Sequence, residues 1–94
     1  MDRFLLALLI AMVAPAAQAF DTENAGKCVA AAIAAGEHEP DLERKGNAVI
    51  AAARQNGVEE LVVENARQHL EDLPEGDNAQ SAWLLEMMRA CESI

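Results

Sequence analysis

The chain has 94 residues, 16 acidic and 7 basic, for a formal net charge of −9. That length allows one small domain, and the charge repels nucleic-acid phosphates and anionic lipid surfaces, which select basic patches. There is no tyrosine and one tryptophan, so aromatic strand formers are scarce while alanine, leucine and glutamate dominate.

Arg3 precedes an unbroken apolar run from Phe4 to Ala14, and Pro15 ends it. Ala17, Gln18 and Ala19 then form the small-x-small pattern that signal peptidase reads. The run is too short for a spanning helix, which needs about 20 apolar residues. Residues 1–19 are therefore predicted to be a cleavable signal peptide. Residues 20–94 form the expected mature domain, periplasmic or secreted, with no membrane anchor after cleavage. Removing Asp2 and Arg3 leaves 15 acidic and 6 basic side chains, so the domain keeps a charge of −9.

Four helices are expected between glycine and proline punctuation. The first runs from about Thr22 to Ala35, capped by Asp21 or Thr22 and stopped by Gly36 in the left-handed conformation. Ala25, Cys28, Val29, Ala32 and Ile33 repeat at helical spacing and define its apolar face. The second starts near Pro40 and ends at Asn56 and Gly57, burying Leu42, Val49, Ile50 and Ala53. Gly46 weakens its middle by about 1 kcal/mol relative to alanine, which makes a break after Lys45 plausible. The third spans roughly Val58 to Leu73, with Val58, Leu61, Val62, Ala66, His69, Leu70 and Leu73 inward. A loop from Pro74 to Asp77 follows, and Asp77 caps the fourth helix, Asn78 to Glu92.

The connections are short, so consecutive helices are expected to pack antiparallel. The predicted fold is all-α, a small four-helix up-down bundle closed by one disulfide. Cys28 and Cys91 are the only cysteines, and an even count behind an export signal reads as a bridge. In an up-down bundle the start of the first helix lies beside the end of the last, which brings both sulfurs together. Closing so long a loop stabilises by roughly 4 kcal/mol, comparable to a small core.

No catalytic, cofactor or metal constellation stands out, and the chain is read as a non-enzyme. His69 has Asp72 at ligand spacing, but a lone His–Asp pair is too common to count, His38 lies in a loop between Glu37 and Glu39, and two cysteines alone cannot fill a zinc site. Glu60, Glu64, Arg67 and Glu71 alternate in sign along one helix face and read as solvated ion pairs. The stretch from Glu75 to Glu86 has the length of a calcium loop, but Ala79 and Gln80 stand where an oxygen ligand and a glycine belong. Ser81 and Ser93 have no nearby base.

The fourth helix carries more apolar surface than an amphipathic helix needs. Leu84, Leu85, Met88 and Cys91 form its expected inward stripe, and Trp83, Met87, Ala90 and Ile94 form a second beside it. Either this helix is the centre of the core, with Trp83 filling it, or Trp83, Met87 and Ile94 are a protein-binding face. The acidity favours a basic protein partner for that face, with self-association as the other use.

From Ala66 to Glu75, then Ala82 to Leu85 and Met88 to Cys91, the sequence resembles the closing segment of periplasmic immunity proteins. Those proteins neutralise amidase effectors of type VI secretion. The shared order is a helix ending before Pro74 and Glu75, a short loop, and an apolar helix ending in a disulfide cysteine. The family carries further cysteines in its middle that this chain lacks, and an aromatic in place of His69. The resemblance implies a small, all-helical, periplasmic binder of a toxin. In architecture the chain also resembles the acid-stress chaperones of the bacterial periplasm, small helical domains with one disulfide. Acid would turn its −9 into about +8, with the carboxylates neutral and His38 and His69 charged. A non-catalytic protein-binding domain is the expected function, with an acid-activated chaperone or a purely structural domain as alternatives.

Overall fold

In the computed structural model residues 20–94 are described, and the predicted signal peptide lies outside them. The helices are α1 (Thr22–Ala35), α2 (Pro40–Gln55), α3 (Glu59–Glu71) and α4 (Asp77–Cys91), with no strand among the described residues. The protein is all-α, with four helices and one disulfide.

Each helix boundary has a local cause. The Asp21 side chain caps α1, accepting a hydrogen bond from the Asn24 backbone N–H at 3.0 Å. Gly36 departs from expectation: its φ of −59° is right-handed, so α1 ends in a continuing turn rather than a left-handed cap. Pro40 opens α2, where its missing N–H is no loss. At the other end Gly57, at φ +72°, takes the left-handed position that glycine tolerates. The Val58 N–H then donates to the Ala53 carbonyl and the Gly57 N–H to the Arg54 carbonyl, which is a complete Schellman cap. The cap of α4 is Gly76, at φ +94°, and Asp77 is already helical.

Gly46 does not break α2, which is continuous across it. The residue is buried because it is a contact point: a Cβ there would stand 2.4 Å from the Ala32 Cβ of α1. Gly26 of α1 has the same role toward α3, where a Cβ would meet the Asn65 Cβ at 2.4 Å. The Asn65 side-chain amide also donates to the Thr22 carbonyl at 3.1 Å. Glycine thus brings two neighbouring helices onto the backbone of α1, at sites where any side chain would hold them off.

The architecture is centred on α1, which packs against α2, α3 and α4, while α2 and α3 touch each other more lightly. Its buried positions are Ala25, Gly26, Cys28, Val29, Ala30 and Ala31, wrapped around most of the helix. Most core side chains are small, with Leu42, Trp83 and Met87 the large ones, and the largest that are fully buried are Val62 and Cys28. So little apolar volume stabilises weakly by itself. The Cys28–Cys91 disulfide joins α1 to α4 across 63 positions of sequence and supplements that core. No helix among the described residues is long and apolar enough to cross a membrane.

Candidate protein-binding surface

Of the two readings of α4, the structure takes the one in which Trp83 fills the core. Trp83 is 8% exposed and Met87 4%, and both belong to the core cluster with Cys91. The cause lies in helix phase. The disulfide turns Cys91 toward α1, and residues four and eight positions earlier, Met87 and Trp83, share that side of the helix. Leu84 and Met88 flank the buried arc, and Leu85, expected inward, lies nearly opposite and is 54% exposed. Ile94 lies beyond α4 and is exposed, and its backbone carbonyl accepts a hydrogen bond from Lys45 Nζ at 3.3 Å. The three residues Trp83, Met87 and Ile94 therefore do not form one exposed face.

Apolar surface is exposed elsewhere. A groove of about 400 Å³ runs between α2 and α3, floored by α1. Ala32, Gly36, Gly46 and Ala66 contribute little side chain to it, while Val29, Ile33, Ile50 and Val63 form its walls. Ile33 is 63% exposed and Val63 48%. Ile33 in particular falls on the expected apolar face of α1, and the space between α2 and α3 leaves it open.

Glu37, Glu43 and Asn47 complete the lining, and no lysine or arginine is among the lining residues. The arginines of the two walls are engaged elsewhere. Arg44 pairs with Asp41, Arg54 with Glu59, and Arg67 with Glu64 and Glu71. Neither Glu37 nor Glu43 is in an ion pair among the described residues.

The relative position of the two walls is set at the α2–α3 turn. Arg54, in the last turn of α2, donates from Nε and Nη2 to the two carboxylate oxygens of Glu59, at 3.0 and 2.8 Å. Each charge also suits its helix end, basic at the carboxyl terminus and acidic at the amino terminus. The hydrogen bond from Arg54 holds the Glu59 carboxyl below its ordinary 4.5, and Arg67 does the same to Glu64. These pairs are solvent-exposed and contribute little to stability, and only Arg54–Glu59 links the two helices.

Among the described residues no group of three or more histidine, cysteine or acidic side chains is arranged to hold a metal ion. His69 Nε2 lies 3.8 Å from a Glu23 carboxylate oxygen, a two-residue contact between α3 and α1. Family models, curated proteins and solved structures were compared with the chain, and none matches.

Proposed function

We propose that this protein is an exported, non-catalytic protein-binding domain, periplasmic or secreted, acting as an immunity or inhibitor protein against an effector of the cell envelope. The observation that carries the reading is the open groove on α1. It exposes branched apolar side chains side by side, on a domain too small to leave such surface uncovered without cost. The resemblance of Ala66 to Cys91 to the periplasmic immunity proteins supports the same reading. So does the disulfide, which suits an oxidising compartment.

The test uses the full chain with a carboxyl-terminal tag, expressed in its native host and recovered from the envelope at neutral pH. One stoichiometric complex with a second protein, stable through size-exclusion chromatography, is expected. A protein that stays monomeric at neutral pH yet suppresses aggregation of unrelated proteins and binds an apolar dye near pH 3 would be an acid-activated chaperone instead. A protein with neither property would be a structural domain, and the binding reading would be wrong.

A further inference from the structure

Resting on that reading, we infer that the groove between α2 and α3 docks an amphipathic, basic segment of a foreign protein. One or two large apolar side chains would seat on Ala32, Gly46 and Ala66, with lysine or arginine beside Glu37 and Glu43.

Three observations select this occupant. First, the groove is open along its side, since Ile33 in its wall is 63% exposed. A small-molecule site encloses most of its ligand, whereas a long open trough fits a chain segment. From Glu43 to Ile50 the α2 wall rises about 10 Å, the length of two helical turns. Second, the trough is apolar below and carries two carboxylates with no cation. The nearby arginines pair with Asp41, Glu59, Glu64 and Glu71, and among the described residues none pairs with Glu37 or Glu43. An incoming cation completes both, and a carboxylate-bearing segment would be repelled. Third, a second copy of this chain fits poorly. A symmetric pairing through the groove would place the Glu37 and Glu43 of both copies in one interface with no lysine or arginine from either lining, on domains that each carry −9.

The test uses the exported protein, produced from the full chain and purified from the envelope, with three synthetic peptides of about 14 residues, close to four helical turns. One peptide alternates leucine and lysine at amphipathic spacing, one replaces every lysine by glutamate, and one keeps the lysines but replaces leucine by serine. Titration calorimetry should register binding of the leucine–lysine peptide and of neither other. Amide shift changes should cluster at Val29 to Gly36, Ile50 and Val63. The double substitution Ile33→Glu and Val63→Glu alters exposed positions only, so helicity should persist while affinity falls about tenfold or more. Glu37→Lys with Glu43→Lys should move the preference to the leucine–glutamate peptide.

Equal binding of the leucine-free peptide, or undiminished binding by the Ile33→Glu, Val63→Glu variant, would overturn the inference. So would a concentration-dependent dimer that Ile33→Glu abolishes, since the occupant would then be a second copy. The two proposals fail separately. A native complex that survives Ile33→Glu and Val63→Glu leaves the binding function standing and removes the groove as its site. Peptide binding that these substitutions abolish, in a protein with no native complex, keeps the groove's chemistry and removes the proposed function.

Discussion

Replacing Gly46 by alanine sets two effects of opposite sign against each other. In an exposed helix the change stabilises by about 1 kcal/mol through helix propensity. Here the new methyl would stand 2.4 Å from the Ala32 Cβ, where carbon atoms normally meet at about 3.5–4.0 Å. Neither methyl has a rotamer to escape into, so α2 has to move. Overpacking of this kind costs about 1–3 kcal/mol, and with no side-chain escape the upper part of that range applies, for a net loss of about 1–2 kcal/mol. Ala32→Gly alone loses about 1 kcal/mol of propensity and a partly buried methyl worth up to about 0.8 kcal/mol. The double variant moves one methyl across the contact, so the propensity terms cancel and the overlap disappears. Its stability should return to within about 0.5 kcal/mol of the parent, a coupling of about 3 kcal/mol. Urea denaturation followed by far-ultraviolet circular dichroism measures all four proteins. A stabilised Gly46→Ala variant, or single effects that simply add, would show that α2 does not ride on Ala32.

Cys28→Ser with Cys91→Ser should cost about 4 kcal/mol, because the bridge closes a loop of 63 positions; an unchanged urea midpoint would refute that weight. Trp83→Ala should cost about 3–5 kcal/mol as a core aromatic, and the parent's tryptophan emission should lie at short wavelength; long-wavelength emission, readily quenched by acrylamide, would put the ring outside. The glutamates held by Arg54 and Arg67 have folded values below 4.5, so their stabilisation is complete above that pH and is lost as pH falls through the lower folded values. Glu59→Gln with Glu64→Gln should therefore flatten the loss of stability below pH 4.5; an equally steep decline in the variant would assign it to other carboxylates.

Helix positions were legible because their signals are local. The apolar period, Asp21, Pro40 and Gly57 each act within a turn or two, and α1 and α2 begin and end within a residue of where those signals place them. The disulfide was legible because two cysteines leave one pairing. Errors entered where the outcome depends on a distant partner. On the expected inward stripe of the last helix, Cys91 is buried and Leu84 and Met88 pack against the core, but Leu85 is 54% exposed. The bond from Cys91 to Cys28 fixes the phase of that helix, and the face it turns inward carries Trp83 and Met87. Taking Cys91 as the reference and counting back by fours would have found this. Leu61 and Leu73, both expected inward, are exposed: α3 leans on α1 at Val62 and Ala66, which turns Leu61 outward, and Leu73 lies beyond the end of the helix at Glu71.

The groove could not have been read from any single helix. Space between packed helices is filled by side chains, and it stays open where the residues at its base are small and the larger ones stand at its sides. Ala32 and Gly36 of α1, Gly46 of α2 and Ala66 of α3 meet at one place, and each had an adequate local reason to be small. Only their convergence leaves the trough. That convergence carries a penalty, because Ile33 and Val63 stay exposed where their burial would stabilise by about 25 cal/mol per Å². The chain instead holds α1 to α4 by a covalent bond and leaves α2 and α3, which lie within the loop that bond closes, gripping α1 through glycine contacts. Stability is thus supplied at one end of α1's circumference and surface is left open at another. A domain stapled along one side can leave the other side underfilled, and a partner's apolar side chains would recover the burial that the fold forgoes.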